Sequence, residues 1–225
     1  MDAADFSALA AARHSVRSFL PDPIPQDVLV KILVDATSAP SWSNTRAFKL
    51  ALAAGDRAER LRAAYGVAFD RTLTGDGAGV DGDFDVQARY PDAQRAHQIA
   101  IGKALYKHLG IERQDREARS AHARRNAEAF GAPVIGLVFV QEGMLPFSAM
   151  DAGLMLQTLF LSAKANGVDS CPIGNLAVWR SPADQEFEVP QDYKLITGFA
   201  LGYASDERIN DFRAERRPIE MLTPK

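Results

Sequence analysis

Cysteine is almost absent from this chain of 225 residues, which contains one, Cys171. A single cysteine cannot form a disulfide within the chain, so a reducing cytoplasm is the expected compartment. No apolar run approaches the roughly 18 residues of a membrane-spanning helix, and the start, Met1 to Asp5, lacks the basic region of a secretory signal. These absences predict a cytoplasmic globular protein that makes no use of a membrane.

The chain also lacks an excess of positive charge, because its formal net charge is −3 and its pI is about 5.8. Nucleic acid is therefore not an expected partner, and any anion site must be local. Glycine-rich phosphate loops and the Gly-x-Ser-x-Gly motif are missing as well, which disfavours the usual nucleotide-binding folds. His97, His108 and His122 show no metal-ligand spacing with carboxylates, so no metal site is predicted.

The pattern of apolar residues, which make up 47% of the chain, predicts helices and strands in mixed order. Strands separated by helices, without strict alternation or an internal repeat, indicate an α+β fold. We expect helices over 5–12, 25–39, a stretch after Asp56 to about Ala68, 94–108, 113–129, 149–166 and a short one from Ser181, with strands over 48–52, 134–140 and 195–203.

The chain is expected to form one domain, 1–225, with two peripheral parts. Thr74 to Asp85 contains four glycines among aspartates and few apolar residues, so it is predicted to be mobile, as part of a lid or insert over about 70–115. The polar tail over about 205–225 is expected to form a C-terminal arm.

The helix predicted over 149–166 is apolar around nearly its whole circumference. Such a helix must be buried on all sides. It is either the central helix of a monomer core or a helix that packs half of its surface against a second subunit.

The heptad from Arg13 to Phe19 places two guanidinium groups and two hydroxyl groups directly after a short apolar helix. The planar fork of an arginine fits a pair of phosphate oxygens, and hydroxyl groups such as that of Ser15 can fill the remaining acceptor directions. The heptad therefore predicts an anion site, with a solvated helix end as the alternative.

Three further clusters are weak when each is taken alone. Residues 39–48 bring hydroxyl groups, an amide and a guanidinium between a helix and a strand, which suits the heteroatoms of a planar polar ring but also an ordinary turn. Residues 170–175 offer a flat Pro-Ile backbone followed by a glycine, which permits close approach. Arg213, Arg216 and Arg217 cluster in the tail, where a solvated charge run is the usual explanation.

Taken together and in this order, these segments resemble the nitroreductase family of FMN-dependent oxidoreductases over most of the chain. The opening Arg-x-Ser-x-Arg/Lys-x-Phe of the family resembles Arg13 to Phe19, and its Pro-Ser-x-x-Asn-x-Gln-Pro-Trp segment resembles Pro40 to Phe48. Its Cys-Pro loop resembles Cys171 to Asn175, while its long central helix and late basic cluster resemble 149–166 and Arg216–Arg217. Further similarity, to the nitrobenzoate-reductase-like branch, lies in Tyr90, Pro91, Tyr106, Leu109, Gly110, Ile111, Arg113, Asp115 and Phe130 to Pro133.

The resemblance implies a three-layer α-β-α fold with a central, mostly antiparallel sheet, in an intertwined homodimer with flavin sites at the subunit interface. It implies an FMN enzyme that uses NAD(P)H in a ping-pong mechanism to reduce nitroaromatic or quinone substrates by hydride transfer through flavin N5. A flavin reductase, an enone reductase and a reductive dehalogenase are alternatives on the same fold. A flavin-binding carrier or sensor without turnover is the alternative from a different class, and the preference between NADH and NADPH stays open.

The resemblance also implies a set of flavin-binding residues, without a separate catalytic side chain, because the cofactor itself carries the hydride. Arg17 reaches the pyrimidine edge of the flavin ring, where negative charge develops on reduction, so its fixed cation favours the reduced form. The contacts implied at the phosphate and ribityl chain are Arg13, His14, Ser15 and Arg216 or Arg217. Those implied at one ring face and N5 are Pro172, Ile173, Gly174 and Asn175. Those implied from the other subunit are Ser41, Trp42, Ser43 and Asn44.

Two positions carry further expectations. Arg46 stands where the family usually has glutamine, and its guanidinium can donate to a flavin carbonyl but cannot accept from the ring N3–H. Trp42 and Trp179 are expected either as core aromatics or as walls of a substrate pocket that stack on a planar substrate. Cys171 is expected to be a buried small side chain rather than a nucleophile.

Overall fold

The computed structural model describes residues 2–74 and 79–224, and its elements follow the predicted mixed order. Residues 75–78, at the centre of the glycine-rich stretch, lie outside the described residues. The helices are α1 Ala3–Ala12, α2 Gln26–Ala36, α3 Asp56–Leu73, α4 Asp92–Leu109, α5 Arg116–Ala127, α6 Phe147–Ala165 and α7 Ser181–Glu186, and the strands are β1 Phe48–Ala54, β2 Val134–Gln141, β3 Asp169–Ile173 and β4 Tyr193–Gly202. Within the described ranges, none of the helices is both long and apolar enough to cross a membrane.

The four strands form one sheet in the order β1-β2-β4-β3, and every neighbouring pair is antiparallel. Side chains alternate between the two faces of β2. Ile135 and Leu137 pack into one apolar cluster with α3 and α5, whereas Val138 and Val140 pack into another with α2 and α6. The sheet therefore lies between two helical layers, and the predicted α+β class and α-β-α arrangement are confirmed.

The structure contains one strand, β3, where the sequence predicts only a loop over 170–175. Proline is rare in strands because it has no N–H to donate, but it is tolerated at the edge of a sheet. β3 is the edge strand next to β4, and Pro172 lies exposed within it. The strand is set by its pairing with β4 rather than by a local sequence pattern.

Helix α6 is not buried on all sides in the single chain. Leu159 and Ala163 are fully buried against the sheet, but 50% of Met150 and 41% of Leu154 are exposed. The expectation of a central helix in a monomer core is therefore wrong. The alternative, in which half of the helix packs against a second subunit, agrees with this exposure.

Part of the predicted lid is attached to the body of the fold. The carboxylate of Asp81 accepts hydrogen bonds from the backbone N–H groups of Arg180 and Ser181, at 2.8 and 3.1 Å. One carboxylate oxygen of Asp83 accepts from the Arg180 guanidinium and from the N–H of Leu195, both at 2.6 Å. The mobility of 74–85 stays a prediction, and the second half of this stretch is hydrogen-bonded to the residues at the start of α7 and to β4.

The contact between Gly136 and Phe199 gives a test of the sheet register. These residues are cross-strand partners on β2 and β4, and a Cβ at position 136 would lie 2.1–2.5 Å from three ring atoms of the buried Phe199. We expect Gly136→Ala to lower the free energy of unfolding by about 1–3 kcal/mol, because the core cannot take the added methyl group without strain. Urea unfolding at fixed protein concentration measures the loss.

The matched control is Gly102→Ala in α4, where nothing lies within 4 Å of the added Cβ. This change should preserve or raise stability, by up to about 1 kcal/mol, because alanine favours helix more than glycine does. Equal midpoints for Gly136→Ala and the parent chain would contradict the β2–β4 register.

Candidate functional site

The heptad from Arg13 to Phe19 is attached to the edge strand β3. The N–H of Val16 donates to the carbonyl of Ser170 at 3.1 Å, and Ser15 and Ser170 form a parallel bridge. Val16 is fully buried, and because neighbouring side chains of an extended segment point to opposite faces, Ser15 and Arg17 are turned toward the surface, where both are half-buried. The motif is thus an extended segment that carries its polar side chains on one face.

Asn210 holds the second half of the heptad, and sequence reasoning missed it. Its buried side-chain oxygen accepts from the N–H groups of Arg17 and Ser18 at 2.8 and 3.2 Å. Its amide nitrogen donates to the carbonyl groups of Ser18 and Ser205 at 2.7 and 3.0 Å. The polar atoms of this buried amide are satisfied by backbone groups, so the heptad has little freedom to move. No local pattern marks Asn210, because its partners in the heptad lie more than 190 positions away.

Glu207 links the same segment to α5. The hydroxyl group of Ser18 donates to Glu207 at 2.6 Å, and the guanidinium of Arg125 donates to both carboxylate oxygens of Glu207, at 2.8 and 3.0 Å. The hydrogen bond from Arg125, followed by that from Ser18, lowers the pKa of Glu207. Glu207 therefore stays ionised at neutral pH and joins the heptad to the outer helical layer.

Arg13 and Arg216 lie close enough for their charges to interact. Burial, followed by the charge of Arg216, lowers the pKa of Arg13. Among the described residues, the buried Nε of Arg13 has no hydrogen-bond partner. Arg213 donates instead to the carbonyl of Asn210 at 2.6 Å. Arg216 is the tail arginine whose charge acts on Arg13, and guanidinium groups are the donors best suited to an anion with several oxygens.

Cys171 is buried beside this set. Burial raises the pKa of the Cys171 thiol to about 11, against smaller opposing effects of Arg17, Ser15 and Arg13. The thiol is therefore neutral at physiological pH and is not a nucleophile. The expected role as a buried small side chain is confirmed, and the same contacts show that the heptad and the 170–175 segment meet at this point.

The end of β3 presents alternate residues to the surface. Ile173 is buried in the core, whereas Pro172 and Gly174 are exposed and Asn175 is half-buried. The surface here consists of backbone, the proline ring and a position without a side chain. Such a surface is flat and permits the close approach of a planar group.

Trp42 lies against α6, in the helical layer on the other face of the sheet from α3 and α5. Its backbone N–H donates at 2.9 Å to Asp151, which is fully buried and whose second carboxylate oxygen has no partner among the described residues. Its ring stacks on Phe147 with 4.1 Å between centroids, and half of the residue is exposed. Trp42 therefore remains available for contact with another molecule.

The residues after Trp42 form a turn with unusual backbone angles. Ser43, Asn44 and Arg46 all have positive φ, at 47°, 55° and 49°, a conformation that L-residues adopt at some cost. The guanidinium of Arg46 donates to the carbonyl of Thr37 at 2.7 Å. The backbone N–H of Arg46 donates to the hydroxyl of Ser41 at 3.1 Å. In the part of the chain that the structure describes, no hydrogen bond or ion pair links this turn with the heptad.

Trp179 lies in the core. Only 2% of it is exposed, its ring contacts Tyr65 and Phe69 edge-on at 6.3 Å, and its Nε1–H donates to the hydroxyl of Thr72 at 3.2 Å. No ring face is left for a substrate. The expectation that Trp179 forms a pocket wall is therefore wrong, and the alternative of a core aromatic is correct.

Comparison with known proteins identifies the family of this chain. Residues 10–203 match the model of the nitroreductase family, and the chain belongs to that family. It is 31% identical to the 4-nitrobenzoate reductase of Pseudomonas putida, over 97% of this chain and 94% of that protein. It is 28% identical to the chloronitrobenzene nitroreductase of Comamonas testosteroni, over 94% and 92% of the two chains.

A solved structure is similar over nearly the whole chain as well. The FMN-dependent nitroreductase NfnB from Mycobacterium smegmatis, in complex with NADPH, superposes with a TM-score of 0.88 at 28% identity and covers 96% of each chain. The family resemblance deduced from the five ordered segments is thus confirmed.

Asn210 gives a test of the attachment of the heptad. We expect Asn210→Ala to lower the free energy of unfolding by about 2–5 kcal/mol, because it leaves two buried backbone N–H groups without an acceptor, at about 1–3 kcal/mol each. Urea unfolding measures the effect.

Asn166→Ala is the control, because Asn166 donates to the carbonyl of Ser162 within its own helix, at 2.8 Å. It should cost about 1 kcal/mol or less. Similar losses for the two variants would show that Asn210 does not hold the heptad.

Proposed function

We propose that this chain is an FMN-dependent oxidoreductase that uses NAD(P)H to reduce nitroaromatic compounds. The observation that carries the proposal is the buried Nε–H of Arg13, which has no hydrogen-bond partner among the described residues and belongs to the segment that pairs with β3. Relatives named for the reduction of nitrobenzoate and chloronitrobenzene support this choice among the reactions of the fold.

The phosphate of FMN fits the donors gathered at the heptad. Arg13, Ser15 and Arg216 offer two guanidinium groups and a hydroxyl, and the ring of His14 is directed to the carbonyl of Ala12 at 3.0 Å, which leaves its backbone beside them. Three charge-assisted bonds at roughly 1.5–3 kcal/mol each give about 5–9 kcal/mol. That sum is comparable with the roughly 8 kcal/mol of a micromolar ligand.

The flavin ring fits the surface next to this donor set. Pro172, Ile173 and Gly174 would cover one face through their backbone, with the amide of Asn175 near N5. Arg17, whose backbone is fixed by Asn210, would place a permanent positive charge at the pyrimidine edge and so stabilise negative charge there. FMN held by these residues would supply the redox chemistry, which is hydride transfer from NAD(P)H to an acceptor in two ping-pong half-reactions.

We further propose a homodimer in which the turn after Trp42 completes the flavin site of the other subunit. The proposal is supported by an apolar surface on the α2 and α6 layer, opposite to α3. Natural monomers rarely expose apolar patches of this kind. Its members are Val30, Val34, Trp42, Phe147, Met150 and Leu154, each 38% to 59% exposed. Ser41, Ser43, Asn44 and Arg46 then approach the flavin from the partner.

A visible spectrum tests the redox function. The purified protein should carry, or take up, one FMN per chain, and anaerobic NADPH or NADH should bleach its absorption, with reoxidation by 4-nitrobenzoate. A protein that binds no FMN would refute the proposal, and one whose bound flavin is not reduced would be a carrier.

The two adjacent arginines of the tail refine the test. Arg216→Ala should weaken FMN binding by about tenfold or more, because a charge-assisted hydrogen bond is worth about 1.5–3 kcal/mol. Arg217→Ala removes the same charge one position away and should bind FMN almost as the parent does. Titration of the apoprotein with FMN measures both, and a larger loss in Arg217→Ala would reverse the assignment.

Light scattering tests the dimer. The parent should have twice the chain mass of 24.5 kDa, and Met150→Asp should shift it toward monomer, since it places a charge in the proposed interface. Val67→Asp is the control, because Val67 is also 50% exposed but lies on α3, on the other side of the sheet. A flavin-loaded monomer would contradict the shared site.

We also propose a cytoplasmic location. The lone cysteine is a buried thiol with a raised pKa, which agrees with a reducing compartment but has no part in the reaction.

A further inference from the structure

A cleft of about 770 Å³ lies beside the C-terminal half of α4, closed by the loop 110–113 and the first turn of α5. This volume is within the range of roughly 300–1,000 Å³ that is usual for small-molecule sites. None of the residues implied in flavin binding lines it. The cleft therefore offers a second binding site within the same chain.

The cleft is strongly basic within an acidic chain. Lys103, Lys107, Arg113 and Arg119 line it, against one carboxylate, that of Glu112. In the ranges that the structure describes, none of these five groups takes part in an ion pair. Four unneutralised cations around a concave surface repel one another, and a bound anion would relieve that repulsion.

The walls of the cleft suit a planar ring. Ile99, Gly102 and Tyr106 follow one another at helical spacing on a single face of α4. Arg119 covers one side of the Tyr106 ring at 5.4 Å and donates to the carbonyl of Arg113 at 3.1 Å. The guanidinium of Arg119 is thus held in place by contacts with its neighbours.

Gly102 leaves part of this helix face bare. Glycine destabilises the middle of a helix by about 1 kcal/mol relative to alanine, and the backbone of Gly102 is ordinary helix. A Cβ at this position would meet no atom within 4 Å, so it would project into the open cleft. The absent side chain therefore enlarges the space available to a ligand.

The cleft adjoins the heptad through one layer of aromatic groups. The ring of Tyr106 contacts the ring of His122 edge-on, with 5.8 Å between centroids. The positive charge of Arg17 in turn acts on His122. The end of α4 is also tied to the tail, because the ring of His108 bonds to the carbonyl of Arg208 at 2.8 Å. The cleft therefore lies next to the heptad, on the far side of Tyr106 and His122.

We propose that the cleft binds the 2′-phosphorylated adenosine of NADPH, with the phosphate at Lys103, Lys107 and Arg113 and the adenine against Tyr106 and Ile99. This inference rests on the proposed function, which requires a reduced nicotinamide. Four cations match a phosphate dianion better than a single carboxylate, and the volume exceeds that of a one-ring acid. In dinucleotide-binding folds an arginine accommodates a 2′-phosphate, and this cleft contains two arginines and two lysines against the single carboxylate of Glu112.

Calorimetry with adenosine 2′,5′-bisphosphate tests the proposal on the flavin-loaded protein. The parent should bind this probe, and Arg113→Ala should bind it about tenfold more weakly, a change of about 1.4 kcal/mol. Arg116→Ala is the matched control, because Arg116 is an exposed α5 arginine that does not line the cleft. It should bind within twofold of the parent. No binding by the parent, or equal losses in the two variants, would overturn the proposal.

A second variant fills the space without removing charge. Gly102→Leu should abolish binding of the probe, whereas Ala104→Leu, at an exposed neighbouring position outside the cleft, should preserve it. Both changes place a good helix former in α4, so a folding defect is not expected in either. Unchanged binding in Gly102→Leu would overturn the location of the site.

Steady-state kinetics separates this proposal from the function on which it rests. Arg113→Ala should raise the KM for NADPH about tenfold and leave that for NADH within twofold. If NADPH bleaches the flavin but Arg113→Ala changes neither KM, the cleft proposal fails and the redox function stands. If neither nucleotide bleaches the flavin, the redox function fails. Loss of 4-nitrobenzoate binding alone in Arg113→Ala would assign the cleft to the acceptor and overturn the proposal.

Discussion

The buried Nε–H of Arg13, which has no hydrogen-bond partner among the described residues, is the constraint on which the candidate site depends. A guanidinium group cannot lose its proton at neutral pH, so this nitrogen remains a donor that needs an acceptor. A buried donor without an acceptor costs folding free energy, which other contacts must offset. The same arrangement becomes favourable when an anion accepts from this group, so a geometry that is unfavourable alone is suited to binding.

The contacts that offset this cost are mainly backbone contacts. Ser15 and Val16 are bound to Ser170 on β3, and Asn210 binds both sides of the peptide groups at 17 and 18. Side chains on a backbone held in this way lose little further freedom when a ligand binds, which is the advantage of a preorganised site. The rigidity of the heptad thus derives from an edge strand and a buried amide that are both remote in sequence.

The sequence predicted the elements well where periodicity is strong. All seven helices and the strands β1, β2 and β4 occur close to their expected positions, because apolar spacing reports directly on burial. It failed at β3, where a proline made an edge strand unrecognisable, and at Asn210, whose partners in the heptad are distant along the chain. The sequence also could not decide whether Trp179 is a core aromatic or a pocket wall, since both have the same local sequence pattern.

The site residues also divide into those that the sequence pattern could select and those that it could not. Motif spacing selected Arg13, Ser15 and Arg17, but it cannot choose between Arg216 and Arg217, since adjacent residues of one type are equivalent in a pattern. Arg46 illustrates the converse. From the sequence alone, the arginine that replaces the usual glutamine at this position is interpreted only through its contact with the flavin. In the folded chain the guanidinium of Arg46 donates to the carbonyl of Thr37 and helps to hold a turn with positive φ angles.

Local charge, rather than net charge, decides which molecules this protein can bind. The chain is acidic overall, yet FMN, the nicotinamide nucleotides and nitrobenzoate are all anions. Exposed charges are screened over about 10 Å at 0.1 M salt, so a ligand in the site responds to the cations within that distance. These are the arginines of the heptad and tail on one side and the four cations of the α4 cleft on the other. Because the layer of Tyr106 and His122 separates the two groups, each can hold a different anionic part of the bound molecules.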